Sequence, residues 1–136
     1  MEDSFSAWGL RGEGAEAGSP PTIWLVSVNQ WERALLRAEL LERGLEVIGF
    51  VHPEHALYAL SLPVYRRPDL MVVDLTGIIK PDVTLPLLAA TRLSVVLLGG
   101  QLQLRHPVVK QHRWRHIVAR PVRLGDLADL LERLVR

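Results

Sequence analysis

The sequence predicts an α/β domain built on a five-stranded parallel sheet with helices on both faces. Three observations carry this. Five short apolar runs, rich in valine and leucine, recur between Thr22 and Ala119; each is too short for a helix and apolar throughout, as strands buried on both faces are. The stretches between them place apolar residues at helical spacing, and strands alternating with helices give a parallel sheet. Asparagine, glycine or proline stands where these elements start or stop, at Asn29, Gly44, Pro53, Pro63 and Gly99.

Residues 1–20 read as a flexible tail. They hold four glycines, the acids Glu2, Asp3, Glu13 and Glu16, and end in Ser19-Pro20. Those glycines neither follow a strand nor open a helix, so no phosphate loop is expected there. Phe5, Trp8 and Leu10 form a short apolar segment within the tail.

The domain then spans residues 21–136. Thr22–Val28 is the first strand. Asn29 caps the first helix, with Glu32 three residues on as a capping box. Trp31, Leu35, Ala38 and Leu41 give that helix an expected inward face, with Trp24 and Trp31 as packing residues, and Gly44 stops it. Leu45–Val51 is the second strand. Pro53 opens a second helix through Leu62. Asp69–Leu75 is the third strand and ends in a carboxylate, Asp74. A loop follows, then a third helix from Thr84 as cap to Arg92, with Pro86 in its first turn. Ser94–Leu98 is the fourth strand. Residues 101–114 support at most one helix, starting near Pro107. Arg115–Ala119 is the fifth strand. Leu124, Leu127, Leu130, Leu131 and Leu134 give an amphipathic last helix. Five such units match the flavodoxin-like doubly wound fold, strand order 2-1-3-4-5, in which ligands collect at the carboxyl ends of the strands.

Composition narrows the function. A chain of 136 residues, 49% hydrophobic, suits one domain with one core. A net charge of +1 gives no global pull toward nucleic acid or membrane. With no cysteine there is no disulfide, thiolate chemistry or cysteine zinc site. No apolar run approaches a membrane span, and the N-terminus lacks a signal pattern, so a cytoplasmic location is expected. Nucleophile elbow, HExxH and P-loop patterns are all missing, so neither an enzyme nor a cofactor is expected. His52 with His55, and His112 with His116, have metal-ligand spacing but no third ligand, so no metal site is expected.

The run Arg67-Pro68-Asp69-Leu70-Met71-Val72-Val73-Asp74-Leu75 resembles the central strand of response regulator receiver domains. The resemblance extends over residues 22–136. Gly44-Leu45-Glu46-Val47 is similar to the family's second strand, Arg33 fits its first-helix arginine, and Arg120-Pro121 stands where the family has Lys-Pro. It implies that Asp74 is the phosphoacceptor position and that the Arg120–Pro121 bond is cis.

The departures point to a pseudo-receiver. Ser27 and Val28 stand at the two metal-binding acid positions, and Gly99 stands at the hydroxyl position. Mg²⁺ needs hard oxygen ligands, mostly carboxylates, and Asp74 alone supplies too few. A planar guanidinium at Arg120 does not replace a flexible ammonium. Asp74, Ser27, Val28, Gly99, Arg120 and Pro121 therefore form a degenerate phosphoacceptor site.

Residues 101–123 carry six cations and no acid. Arg105, Lys110, Arg113, Trp114, Arg115 and Arg123 are read as an interaction face for an acidic protein partner, or for a second copy through Asp126, Asp129 and Glu132. The expected function is a non-enzymatic signalling module acting through protein–protein contact. The alternatives are a phosphoacceptor in a two-component phosphorelay, and a nucleic-acid-binding accessory domain using the same basic stretch.

Overall fold

The computed structural model describes residues 18–136. Positions 1–17 of the expected tail, with Phe5, Trp8 and Leu10, lie outside the described residues. Five parallel strands are present: β1 Thr22–Val26, β2 Glu46–Phe50, β3 Leu70–Asp74, β4 Val95–Gly99 and β5 His116–Ala119. Their order is β2-β1-β3-β4-β5, as the alternation predicts. The helices are α1 Gln30–Glu42, α2 Pro53–Leu60, α3 Pro81–Ala90, α4 Gln101–Leu104, α5 Pro107–Lys110 and α6 Leu124–Val135. None of the described helices is long and apolar enough to cross a membrane.

Alternate residues of each strand feed two cores. Ile23, Leu25, Leu70, Val72, Val96 and Leu98 pack under α1 and α6. Trp24, Val26, Met71, Val73 and Leu97 pack under α2, α3 and α5. The central strands β1, β3 and β4 are buried throughout, which is why their sequences show no alternation.

Helix α1 corrects two expectations. Trp31 is 78% exposed, and Leu35, Ala38 and Leu41 also face outward; Leu36 and Leu40 are the buried pair. The helix carries apolar residues on two opposite faces, so period alone does not choose between them. Polar anchoring chooses: Arg33 Nη1 donates to the Ser27 carbonyl at 2.5 Å, and its methylenes lie against Gly49. Of the expected capping box only half forms. Asn29 Oδ1 accepts from Glu32 N at 3.0 Å, but the Asn29 N–H donates to Ser27 Oγ and the Glu32 carboxylate turns elsewhere.

Helix α3 starts at Pro81, with Lys80 at its cap, rather than at Thr84. A proline at the first helical position loses no hydrogen bond, and this outweighs a threonine cap. Pro86 thereby falls inside the helix instead of in its first turn. Residues 101–114 form two single turns, not one helix. His106 accepts from Val108 N through Nδ1 at 3.2 Å, which caps α5 and separates it from α4. Strand ends differ from the expected ones by one or two residues.

Candidate functional site

Asp74 ends β3 at the carboxyl edge of the sheet and is 3% exposed. A buried carboxylate needs partners, and this one has three. Thr76 N donates to Oδ1 at 3.0 Å. Ser27 Oγ donates to Oδ2 at 3.1 Å, and Arg120 Nη2 reaches the same oxygen at 2.9 Å. Ser27, just past β1, also accepts from the Asn29 amide at 3.1 Å, so its hydroxyl is fixed from both sides.

Arg120 follows β5 and is held by its backbone, since its N–H donates to the Gly99 carbonyl at 2.9 Å. Its guanidinium grips Glu32 of α1 in a fork: Nη2 to Oε1 at 2.6 Å and Nη1 to Oε2 at 2.7 Å. Two parallel charge-assisted bonds of this kind are among the strongest side-chain contacts. Those bonds hold the Glu32 carboxyl below its usual range and raise the Arg120 guanidinium above its own. The Arg120–Pro121 bond is cis, as the resemblance implies.

The other two candidate positions line the edges of the site. Val28 is partly exposed and leans over Gly77, where a Cβ would come within 2.8 Å of Val28 Cγ1; Gly77 also has φ +88°, a left-handed conformation that suits glycine. At Gly99 a Cβ would meet Gln103 Oε1 at 3.0 Å and Leu75 Cδ1 at 3.1 Å. That Gln103 oxygen accepts from the Gly100 amide at 2.8 Å, so a hydroxyl side chain at 99 fits only if Gln103 and Leu75 give way.

Glu32 is the site residue that sequence reasoning missed. Its position three after Asn29 explained it as a cap, and nothing local shows a partner 88 residues away. The site therefore has two carboxylates, both turned onto one arginine. Mg²⁺ prefers several oxygen ligands with waters retained, and this donor set does not fit it. Among the described residues no group of three or more histidines, cysteines or acids is placed to hold a metal. His52 stacks edge-on against His55 and His112 against Trp114, while His116 begins β5.

The expected interaction residues sit on separate elements. Arg105 ends α4, Lys110 lies in α5, Arg113 and Arg115 flank Trp114 before β5, and Arg123 caps α6. All five cations are exposed, and none joins an ion pair among the described residues. Trp114 is half-buried and donates its indole N–H to the Val109 carbonyl at 2.8 Å. Arg120, the sixth cation of the run, belongs to the Asp74 site. Two of the three acids of α6 are occupied as well: Asp129 and Glu132 both bind Arg43 at the end of α1, at 2.6 and 3.2 Å.

With the geometry established, comparison with known proteins is informative. No family model matches the chain, and no curated protein matches it. Solved structures do. A response regulator from Thermotoga maritima superposes with TM-score 0.67 at 20% identity, covering 85% of this chain and 98% of the other. The fold is that of a receiver domain. A CheY-like receiver domain from Methylobacillus flagellatus gives TM-score 0.61 at 21% identity, with coverages of 85% and 99%. The non-phosphorylated HemR receiver domain from Leptospira biflexa gives 0.64 at 23%, with coverages of 85% and 94%. At such identities the likeness is one of fold.

Proposed function

We propose that this chain is a receiver-like signalling module whose phosphoswitch is locked, and that it acts by protein–protein contact without catalysis. The observation that carries this reading is the Arg120 guanidinium, held between Asp74 and Glu32. Ser27 and Arg120 both bind one Asp74 oxygen, Thr76 N binds the other, and the second carboxylate, Glu32, faces the arginine rather than a cation site. The crowding at Gly99 adds to this, since an acyl phosphate there would lack a hydroxyl partner.

The exposed cations Arg105, Lys110, Arg113, Arg115 and Arg123 suit an acidic protein partner better than a second copy, because Asp129 and Glu132 are already paired within the chain. A cytoplasmic site of action, with no cofactor, belongs to the same reading.

The test is intact mass after incubation with acetyl phosphate and Mg²⁺, together with NMR in beryllofluoride. The expected result is unchanged mass and an unchanged spectrum. Stoichiometric labelling of Asp74 would establish the phosphorelay reading instead.

A further inference from the structure

We infer that the gap between α3, α4, α5 and the loop after β3 is a binding site for a neutral small molecule: one aromatic ring carrying one hydrogen-bond acceptor. The gap has a volume of about 190 Å³. That exceeds the roughly 150 Å³ at which an apolar cavity accepts benzene. It arises because the chain from Gln101 to Lys110 forms two single turns, broken before Pro107, rather than one continuous helix over the sheet edge.

The walls are mostly apolar side chains. Leu75, Ile78, Leu85 and Val109 line the interior, and Leu102, 81% exposed, stands at the mouth. Among the described residues no charged side chain lines it, so a charged ligand would lose its hydration without compensation. Two polar side chains, Gln103 and His106, complete the lining, and both have donors to spare. His106 Nδ1 accepts from Val108 N, which leaves the proton of the neutral ring on Nε2. Gln103 uses its oxygen on Gly100 N and makes only a long 3.4 Å contact from its amide nitrogen to Thr76 Oγ1. A mostly apolar cleft with two such donor side chains in its lining favours an apolar ligand with an acceptor.

The location ties this site to Asp74. Leu75 directly follows it, and Gln103 bridges the loops after β3 and β4. A ligand here touches both segments that frame the carboxylate, and occupancy is an input that needs no phosphate.

The experiment titrates the full chain with acetophenone and with ethylbenzene, a match in shape that lacks the acceptor, and follows methyl resonances by NMR. Acetophenone is expected to give saturable shifts at Leu75, Ile78, Leu85, Leu102 and Val109. Ethylbenzene should bind about fivefold more weakly, the worth of one neutral hydrogen bond. Leu102→Trp should close the mouth and abolish binding; Leu102 is exposed, so the fold is kept, and Ile78→Trp gives the same test from the other wall. His106→Phe should lower acetophenone binding to the ethylbenzene level. Shifts that are absent, do not saturate or map to another face overturn the site, as does parent-like binding by both tryptophan variants. Equal affinity for the two probes overturns the ligand class. Because the readout is binding to the unmodified chain, phosphorylation of Asp74 would neither produce nor remove these results.

Discussion

Arg120 meets both oxygens of Glu32, at 2.6 and 2.7 Å, and shares one of its nitrogens with Asp74 at 2.9 Å. One guanidinium thus joins α1, the end of β3 and the segment after β5, three places far apart in sequence. The contact is largely buried: the side chains of Arg120, Glu32 and Asp74 are 28%, 25% and 2% exposed. Water screens such a pair far less than a surface bridge.

A ranking of variants follows from that geometry. Arg120→Ala leaves the buried Asp74 carboxylate without its cation; removing one partner of a fully buried pair costs about 3–5 kcal/mol, and with Arg120 28% exposed the loss should fall at the low end of that range. Arg120→Lys keeps a positive charge but loses the fork to Glu32, and should cost about half as much. Asp74→Asn leaves Arg120 its bonds to Glu32 and should be the mildest of the three. Urea denaturation checks the order. Equal losses for Ala and Lys would mean that the charge on Asp74 is not what Arg120 serves.

Glu32 gives the site a pH signature. Its folded carboxyl is held below the ordinary value by the bonds from Arg120. The unfolded chain has a glutamate of pKa about 4.3. The stabilisation is therefore complete above that value, and is lost as pH falls through the lower, folded one. Glu32→Gln should cost about 1.5–3 kcal/mol at pH 7, as the loss of hydrogen bonds to charged groups does. The gap between parent and variant should close in acid, where Glu32 itself becomes neutral. Stability curves measured from pH 7 down to pH 3 test this, and a pH-independent gap would show that Glu32 acts by packing.

Restoring a metal site needs more than new acids. Ser27→Asp with Val28→Asp supplies the missing carboxylates, but Arg120 still neutralises Asp74. The double variant should bind Mg²⁺ weakly, and adding Arg120→Lys should strengthen binding at least tenfold by calorimetry. Gly99→Thr requires Gln103 Oε1 and Leu75 to give way by a few tenths of an ångström, so shortening Gln103 at the same time should help it. Tight Mg²⁺ binding by the double variant alone would show that Arg120 does not guard the site.

Two tryptophans separate the faces of α1 from the core. Trp24 is fully buried, and its indole N–H has no partner among the described residues. Trp24→Ala should cost about 3–5 kcal/mol, as large truncations in a core do. Trp24→Phe should cost much less, because it removes an unsatisfied donor along with some volume. Trp31→Ala, on the exposed side, should stay within about 0.5 kcal/mol. Thermal melts of the three variants decide the matter, and a large loss at Trp31 would contradict its exposure.

The contrast between these tryptophans also shows where the sequence was legible. β1, β3 and β4 could be read because strands buried on both faces are apolar at every position, and Asp74 was marked by ending such a run. The inward face of α1 could not be read, because Leu36 and Leu40 compete with a longer apolar stripe on the opposite side. Glu32 was hidden by its local role: Asn29 does cap its amide, and that left its carboxylate seemingly explained. Residues 101–114 carry weak periodicity because they fold into two single turns, each too short to show a face. Ser27, Gly99 and Arg120 were identified through family resemblance, and the structure adds how they are filled in: Ser27 on Asp74, Gln103 against Gly99, Arg120 onto Glu32.

The cationic surface gives the last prediction. Arg113 and Arg115 flank Trp114 and are exposed, while the tryptophan between them is anchored to Val109. Of the acids on α6 that would pair with them across a two-fold axis, Asp129 and Glu132 are held instead by Arg43 and Arg136 and only Asp126 is left, so a carboxylate-rich partner is the better fit. Encounter with such a partner is steered by charge and weakens with salt, because exposed charges are screened within about 10 Å at 0.1 M. Arg113→Glu with Arg115→Glu should therefore abolish capture of an acidic partner, while the melting temperature stays nearly constant, since exposed ion pairs contribute only about 0–1 kcal/mol. The double variant should also lose binding to a poly-glutamate column, with the parent eluting at moderate salt. Nucleic acid would announce itself by binding to duplex DNA, with the logarithm of affinity falling linearly with the logarithm of salt as counterions are released. If the double variant elutes from poly-glutamate like the parent and shows the parent's oligomeric state at low and high salt, the basic stretch is a solvated surface and the contact face lies elsewhere, with the outward stripe of Trp31, Leu35 and Leu41 on α1 the next to mutate.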